Sequence, residues 1–235
     1  MNELYRFLTL LLSPEWYRLG PEERAEQKRE FAQALRAAEA RTHAYSLVGT
    51  RTDADLLLWL VGDGLEDLVR TEARLRATAL WAYSTRPYGY LAARRKSKYL
   101  GEHAHAGNEH DRAAGGPVGD SPYLMLYPMT KLRSWYRLPV EERTRIMAGH
   151  FAVGHRYPDV RIHTAYSFGL DDQEFVVTFE VQDVRDFLAL VADLRETESS
   201  AYTERETPIF TATACTIEAA LDLVDGVAAR EPMLR

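Results

Sequence analysis

The sequence predicts an α+β fold made of two diverged copies of one β-α-β-β-α-β unit, and three observations carry that expectation. The segment Trp16-Tyr17-Arg18-Leu19 recurs as Trp135-Tyr136-Arg137-Leu138, an offset of 119 residues. The same offset maps Glu22-Glu23-Arg24 onto Glu141-Glu142-Arg143, Asp53 onto Asp172, Leu75-Arg76 onto Leu194-Arg195, and Ala82-Tyr83 onto Ala201-Tyr202. A four-residue match is within reach of chance, but a constant offset held over more than half of each copy points to duplication. Strand-like and helix-like patterns also follow one another in the same order in both copies, the split βαβ arrangement.

In the first copy, residues 4–12 are a continuous apolar run of strand length. Gly20-Pro21-Glu22-Glu23 opens a helix over 21–40, because proline in the first turn leaves no N–H unpaired and acidic residues suit a helix start. Two β-like runs near 43–50 and 55–61 are split by the polar Arg51-Thr52-Asp53. From Leu65 to Ala77 a helix places Leu65, Leu68, Val69 and Leu75 on one face, and a last extended run follows near 79–91. The second copy reads as strand 122–129, helix 139–154, strands 160–168 and 174–181, helix 184–196 and strand 208–215, with a closing helix over 216–226. The expected domains are therefore 1–93, a polar, Gly-rich linker or lid over 94–121, and 122–226. Each half has helices on one sheet face, so the two bare faces are expected to bury each other in a barrel-like core.

Composition narrows the function classes. A formal charge of −6 gives no electrostatic reason to expect nucleic acid or an anionic membrane as partner. No apolar run is long enough to span a bilayer, and Met1-Asn2-Glu3-Leu4 lacks the basic start of a secretory signal, so a cytoplasmic setting is expected. A single cysteine, Cys215, excludes an internal disulfide and any cysteine-based metal cluster.

The duplication supplies an internal control. Leu8 corresponds to Tyr127, Leu12 to Lys131 and Phe31 to His150. Three apolar residues in one copy are three chemically capable ones in the other. A core gains nothing from such replacements, since each buried polar group needs a partner. His150 lies in Met147-Ala148-Gly149-His150-Phe151-Ala152-Val153-Gly154, where small residues let a flat ligand approach. A neutral imidazole binds iron through one ring nitrogen while a partner orients the other. With one cysteine and no close histidine pair, a porphyrin iron suits it better than zinc. A lone histidine here is more often a hydrogen-bonded core residue; the matched Tyr and Lys tip the balance. His155, five residues on, is a rival ligand expected at the surface.

Tyr127-Pro128-Met129-Thr130-Lys131 resembles the Tyr-Pro-Met-x-Lys signature of the coproheme decarboxylases, within the chlorite dismutase-like superfamily. His150, Phe168-Gly169-Leu170-Asp171-Asp172, and Leu194-Arg195-Glu196 through Ser199-Ser200-Ala201 follow in that family's order and approximate spacing. The resemblance is strong over roughly 85–215 and weaker before it. It implies duplicated ferredoxin-like halves forming a dimeric α+β barrel, a homopentamer, and an iron porphyrin in the C-terminal half. It also implies a haem-dependent oxidoreductase of haem biosynthesis that converts coproheme III, both substrate and cofactor, to haem b with hydrogen peroxide. A haem-dependent peroxidase and a non-catalytic haem-binding protein are the competing readings.

Carried over by residue, His150 is the axial iron ligand and Tyr127 the redox-active phenol. Lys131 binds the reacting propionate, while Arg195 and Ser200 hold others. Pro128, Met129 and Thr130 line the site, and Arg112 reaches in from the linker. The structural alternatives are that Arg195, twinned with Arg76, belongs to the scaffold, and that Lys131 is a solvated charge. Trp135, twinned with Trp16, reads as scaffold, and His103, His105 and His110 as a solvated loop. The distal position carries Gln in firmicute members and Arg in chlorite dismutases. Counting back from Gly169-Leu170-Asp171-Asp172 places it at Ile162, and counting forward from His150 at His163. These side chains point to opposite faces of a strand, so register decides, and the nearer turn favours Ile162. Neither is Arg, which disfavours chlorite chemistry.

Overall fold

A computed structural model describes residues 3–95, 99 and 118–226. Arg112, His103, His105 and His110 lie outside them. The chain divides into two compact units, Met1–Arg94 with Phe210–Arg235, and Arg95–Ile209. Among the described residues no helix is long and apolar enough to cross a membrane.

The first unit is built on β1 (Leu4–Leu12), β2 (Arg41–Ser46), β3 (Leu56–Gly62), β4 (Ser84–Thr85) and β5 (Gly89–Arg94). The central order is β2-β3-β1-β5, all antiparallel, with β4 against the end of β1. The strand that sequence counting gives to the second copy, β10 (Phe210–Cys215), pairs with β2 of this unit. Strand β3, Leu-Leu-Leu-Trp-Leu-Val-Gly, is buried along its whole length, which is why it reads as an unbroken apolar run. Helices α1 (Pro21–Arg36), α2 (Leu65–Arg76), α3 (Ala79–Ala82) and α7 (Ile217–Val224) belong to the same unit. Leu8, Leu10, Leu12, Leu56, Leu58 and Leu60 join Phe31 and Leu80 in one apolar cluster. The opposite face carries Tyr5, Phe7 and Trp59, with Tyr5 and Trp59 in edge contact at 5.3 Å.

The second unit repeats this plan with β6 (Tyr123–Lys131), α4 (Arg133–Arg137), α5 (Val140–Gly154), β7 (Arg161–Tyr166), β8 (Phe175–Val181), α6 (Val184–Arg195) and β9 (Thr203–Arg205). Its strand order is β7-β8-β6-β9, again antiparallel. A 3-10 turn, Glu198–Tyr202, connects α6 to β9. The α+β class holds as predicted, and the order β-α-β-β-α recurs in both units.

The cross-strand registers trace the divergence of the two copies residue by residue. Leu8 faces Leu58 as Tyr127 faces Val177, so the 119 offset is intact across β1/β3 and β6/β8. His43 faces Trp59, however, whereas His163 faces Thr178, so β7 runs one residue later than the offset requires. The extra residue precedes β7 and is removed again before β8. The turn between them closes on Gly169, whose φ of +72° needs glycine. The extended run expected over 79–91 is broken by the helical turn α3, where the Tyr83 and Thr78 amides bond the Leu80 and Leu75 carbonyls. The four-residue pattern Ala-Leu-Trp-Ala buries Leu80 and Trp81 from a helix as readily as from a strand.

Phe31 is fully buried among apolar side chains. Phe31→His should therefore destabilise the protein by about 3 kcal/mol, the sum of lost apolar burial and an imidazole with no partner. Urea unfolding measures it, and a loss below about 1 kcal/mol would show that the first copy tolerates the second copy's histidine unaided.

Candidate functional site

Cross-strand partners share a sheet face, so the site can be assembled from register alone. Tyr127 faces Val177 and Met125 faces Phe179, and these four lie on the face covered by α5 and α6. Ile162 faces Phe179 and packs against the same cluster, with Met129, Val153 and Leu194. His163 faces Thr178 and turns to the opposite side, where its Nε2 meets the fully buried Glu180 at 2.7 Å. Of the two distal alternatives, only Ile162 shares Tyr127's face. His163 lies on the other face, and its twin by register is His43.

Pro128 and Thr130 also lie on the other face of their strand. They alternate with Tyr127 and Met129 and so face away from α5 and α6.

Tyr127 is nearly buried, stacked against Phe179 at 5.7 Å. Burial pushes its phenol up to about 12, eased by the positive charge of Arg195. Lys131 is also buried, and its Nζ donates to the Ser199 carbonyl and to Thr203 Oγ1, both at 3.0 Å. It lies 5.3 Å from the Trp135 ring centroid, within cation–π range. Burial lowers Lys131 to about 8, opposed by the Glu174 carboxylate. Lys131 is therefore no solvated surface charge.

Glu174 itself is scaffold. It accepts the Lys131 amide at 2.8 Å, as Asp55 accepts the Leu12 amide at 2.8 Å in the first copy.

His150 sits on α5, partly buried, with Nδ1 3.1 Å from Ser199 Oγ. Burial, and then the charge of Lys131, pull it down to about 4, so the imidazole is neutral at physiological pH. A neutral imidazole with one nitrogen engaged offers the other as a ligand. Its rival His155 stands at the exposed C-terminal end of α5.

Ser199, rather than the Ser200 singled out by sequence, is the hydroxyl that meets His150. The signal was present, since the 119 offset places Ser199 opposite Leu80, a fourth apolar-to-polar exchange beside the other three. Ser200 is partly buried next to it, and Arg195 is exposed and ion-paired with Glu206.

The residues fit an iron porphyrin. Among the described residues no three His, Cys, Asp or Glu side chains gather to hold a bare ion. A single neutral histidine suits a metal whose other positions a macrocycle fills. Met129, Val153 and Ile162 offer apolar contact, while Lys131, Arg195 and Ser200 offer charge and hydroxyl groups to carboxylates.

The low His150 value has a stability consequence in the metal-free protein. The unfolded chain takes up a proton there near 6.5 and the folded chain only near 4. The stabilisation is complete above about pH 6.5 and is lost as pH falls towards 4, a difference of about 3 kcal/mol. His150→Phe, which copies Phe31, should remove that part of the acid sensitivity while holding the fold. Urea midpoints at pH 7 and pH 4.5 measure it, and identical acid sensitivity in both proteins would contradict the burial of His150.

Known proteins resemble this chain in sequence and in fold. The family model described as chlorite dismutase matches residues 24–215. The chain is 33% identical over 175 residues to the coproheme decarboxylase of Mycolicibacterium smegmatis, covering 74% of this chain and 73% of that one. Its fold is similar to that of the chlorite dismutase from Candidatus Nitrospira defluvii in complex with imidazole, with a TM-score of 0.86, 23% identity and 95% of each chain covered. It is also similar to a heme-binding protein from Thermus thermophilus, with a TM-score of 0.84, 26% identity, and 96% and 95% of the chains covered. This chain belongs to the chlorite dismutase family.

Proposed function

We propose that this protein is a coproheme decarboxylase, which removes two propionate carboxyl groups from coproheme III to give haem b with hydrogen peroxide as oxidant. The observation that carries the reading is the trio of Tyr127 and Lys131, both buried, and the partly buried His150 on the helix-covered side of one unit, where the other unit has Leu8, Leu12 and Phe31. The 33% identity to a coproheme decarboxylase supports it.

In this reading His150 holds the iron and the bound porphyrin supplies oxidising equivalents drawn from peroxide. Tyr127 is the residue that passes them to the propionate. Its raised value keeps the phenol protonated until an electron is withdrawn, so electron and proton leave together. The phenoxyl radical then takes a hydrogen atom from the propionate carbon next to the ring. Loss of a second electron and of carbon dioxide leaves a vinyl group. Each round releases carbon dioxide, one proton and two electrons, and one peroxide takes up two electrons and two protons to give two waters.

Lys131 has three N–H donors, two of them committed to Ser199 and Thr203. The third, and its charge, serve the reacting carboxylate. Arg195 takes a propionate by exchanging its Glu206 partner, and Ser200 adds a hydroxyl. Arg112 keeps its proposed role from the linker. A homopentamer in the cytoplasm belongs to the same reading, and sedimentation should give five times the chain mass.

Purified protein, coproheme III and peroxide should lose two carboxyl groups stepwise by mass. Tyr127→Phe should bind the porphyrin with unchanged affinity and slow decarboxylation at least about 100-fold, about 3 kcal/mol of barrier. Intact porphyrin with oxidation of a reporter dye would make the protein a peroxidase, and neither reaction would leave it a haem-binding protein. Full activity in Tyr127→Phe would overturn the radical role.

A further inference from the structure

The two copies, compared atom by atom, fix something at His150 that neither copy shows alone. Thr197 donates from Oγ1 to the Leu194 carbonyl at 2.7 Å. Its twin Thr78 donates to the Leu75 carbonyl, also at 2.7 Å. The bond is therefore part of the inherited scaffold at the end of the second helix, made whether or not anything else is near. A carbonyl only accepts, so the single hydroxyl proton of Thr197 is spent there.

Beyond that threonine the copies diverge. In the first copy the next partners would be Leu80 and Phe31, both fully buried in the apolar cluster, and the hydrogen-bond chain stops. In the second they are Ser199 and His150. Ser199 Oγ lies 3.0 Å from Thr197 Oγ1 and 3.1 Å from His150 Nδ1. Thr197 has no proton left to give, so Ser199 donates to Thr197. Ser199 has then spent its own proton and can only accept from His150. The Ser199 side chain is buried at 2% exposure, and its carbonyl is pinned by Lys131 Nζ at 3.0 Å. Water and rotation are thereby limited as escapes from this sequence of donations.

We propose that Thr197 and Ser199 are positioning residues that lock His150 in the tautomer with the proton on Nδ1 and the lone pair on Nε2. The direction of the chain is set at the Leu194 carbonyl and runs one way: His150 to Ser199 to Thr197 to Leu194. Free histidine favours the opposite tautomer, with the proton on Nε2, which cannot bind a metal through that atom. The lock thus prepares the ligand nitrogen before any iron arrives. This inference rests on the reading of His150 as the iron ligand for its purpose, but not for its test.

The test uses the metal-free full chain with 15N-labelled histidine at pH 7.5, where ring nitrogen shifts distinguish protonated from unprotonated positions. The wild type should show Nδ1 protonated and Nε2 bare. Thr197→Val keeps the shape and removes the acceptor, freeing the Ser199 proton to turn towards Nδ1. The Nε2-protonated tautomer should then become the major form, and Ser199→Ala should also shift the balance that way. Thr197→Ser should restore the wild-type pattern. On adding coproheme, Thr197→Val should weaken binding several-fold although it touches neither iron nor porphyrin. A wild-type Nε2 carrying the proton would overturn the proposal, as would a Thr197→Val spectrum identical to wild type. Failure of decarboxylation with the tautomers as expected would count against the functional reading alone.

Discussion

A polar group placed beneath the helices of a β-α-β-β-α-β unit has to find its partner inside the unit, and this constraint organises the whole second half. The first half shows the apolar solution, with Leu8, Leu12, Phe31 and Leu80 filling the space between sheet and helices. In the second half the equivalent positions are Tyr127, Lys131, His150 and Ser199. They are not four independent changes. Lys131 needs the Ser199 carbonyl and Thr203, His150 needs the Ser199 hydroxyl, and Ser199 needs Thr197. An imidazole without Ser199, or an ammonium without its two acceptors, would be a buried unpaired group costing on the order of a few kcal/mol.

The electrostatics of the cluster follow from the same enclosure. Burial raises the Tyr127 phenol, lowers the Lys131 ammonium and lowers the His150 imidazole, each towards its neutral form. The Lys131 charge adds to the effect of burial on His150, because an ammonium disfavours a second cation beside it. The arrangement is a neutral ligand and a protonated phenol near a cation, which suits a carboxylate-bearing porphyrin. Glu174 and the Trp135 ring hold the cation from the scaffold side.

Much of this was legible in the sequence because duplication turned a comparison of homologues into a subtraction within one chain. The offset located Tyr127, Lys131 and His150 as departures, and it marked Trp135 as inherited. The offset failed where the copies differ in length. One added residue before β7 brings His163 into register with His43 instead of Ala44, and only pairing across the sheet reveals it. Pro128 and Thr130 share a motif with Tyr127 and Lys131 but, by strand alternation, not their sheet face. Ser199 was overlooked because serine carries little signal by itself; its meaning comes from a bond 49 residues distant in sequence. The short helix α3 was hidden because an apolar tetrapeptide does not distinguish a turn of helix from a strand. Arg195 stays divided between roles, paired with Glu206 yet close enough to Tyr127 to affect its phenol.

The claim on which the account rests is that His150 presents a prepared nitrogen to the iron of a porphyrin lying beside Tyr127. The most direct measurement is a crystal structure of the coproheme complex with the iron located by anomalous scattering. The account predicts iron at coordination distance from His150 Nε2, with a propionate against Tyr127 and Lys131. Iron bound through His155, or a porphyrin seated on the His163 face of the sheet, would contradict it.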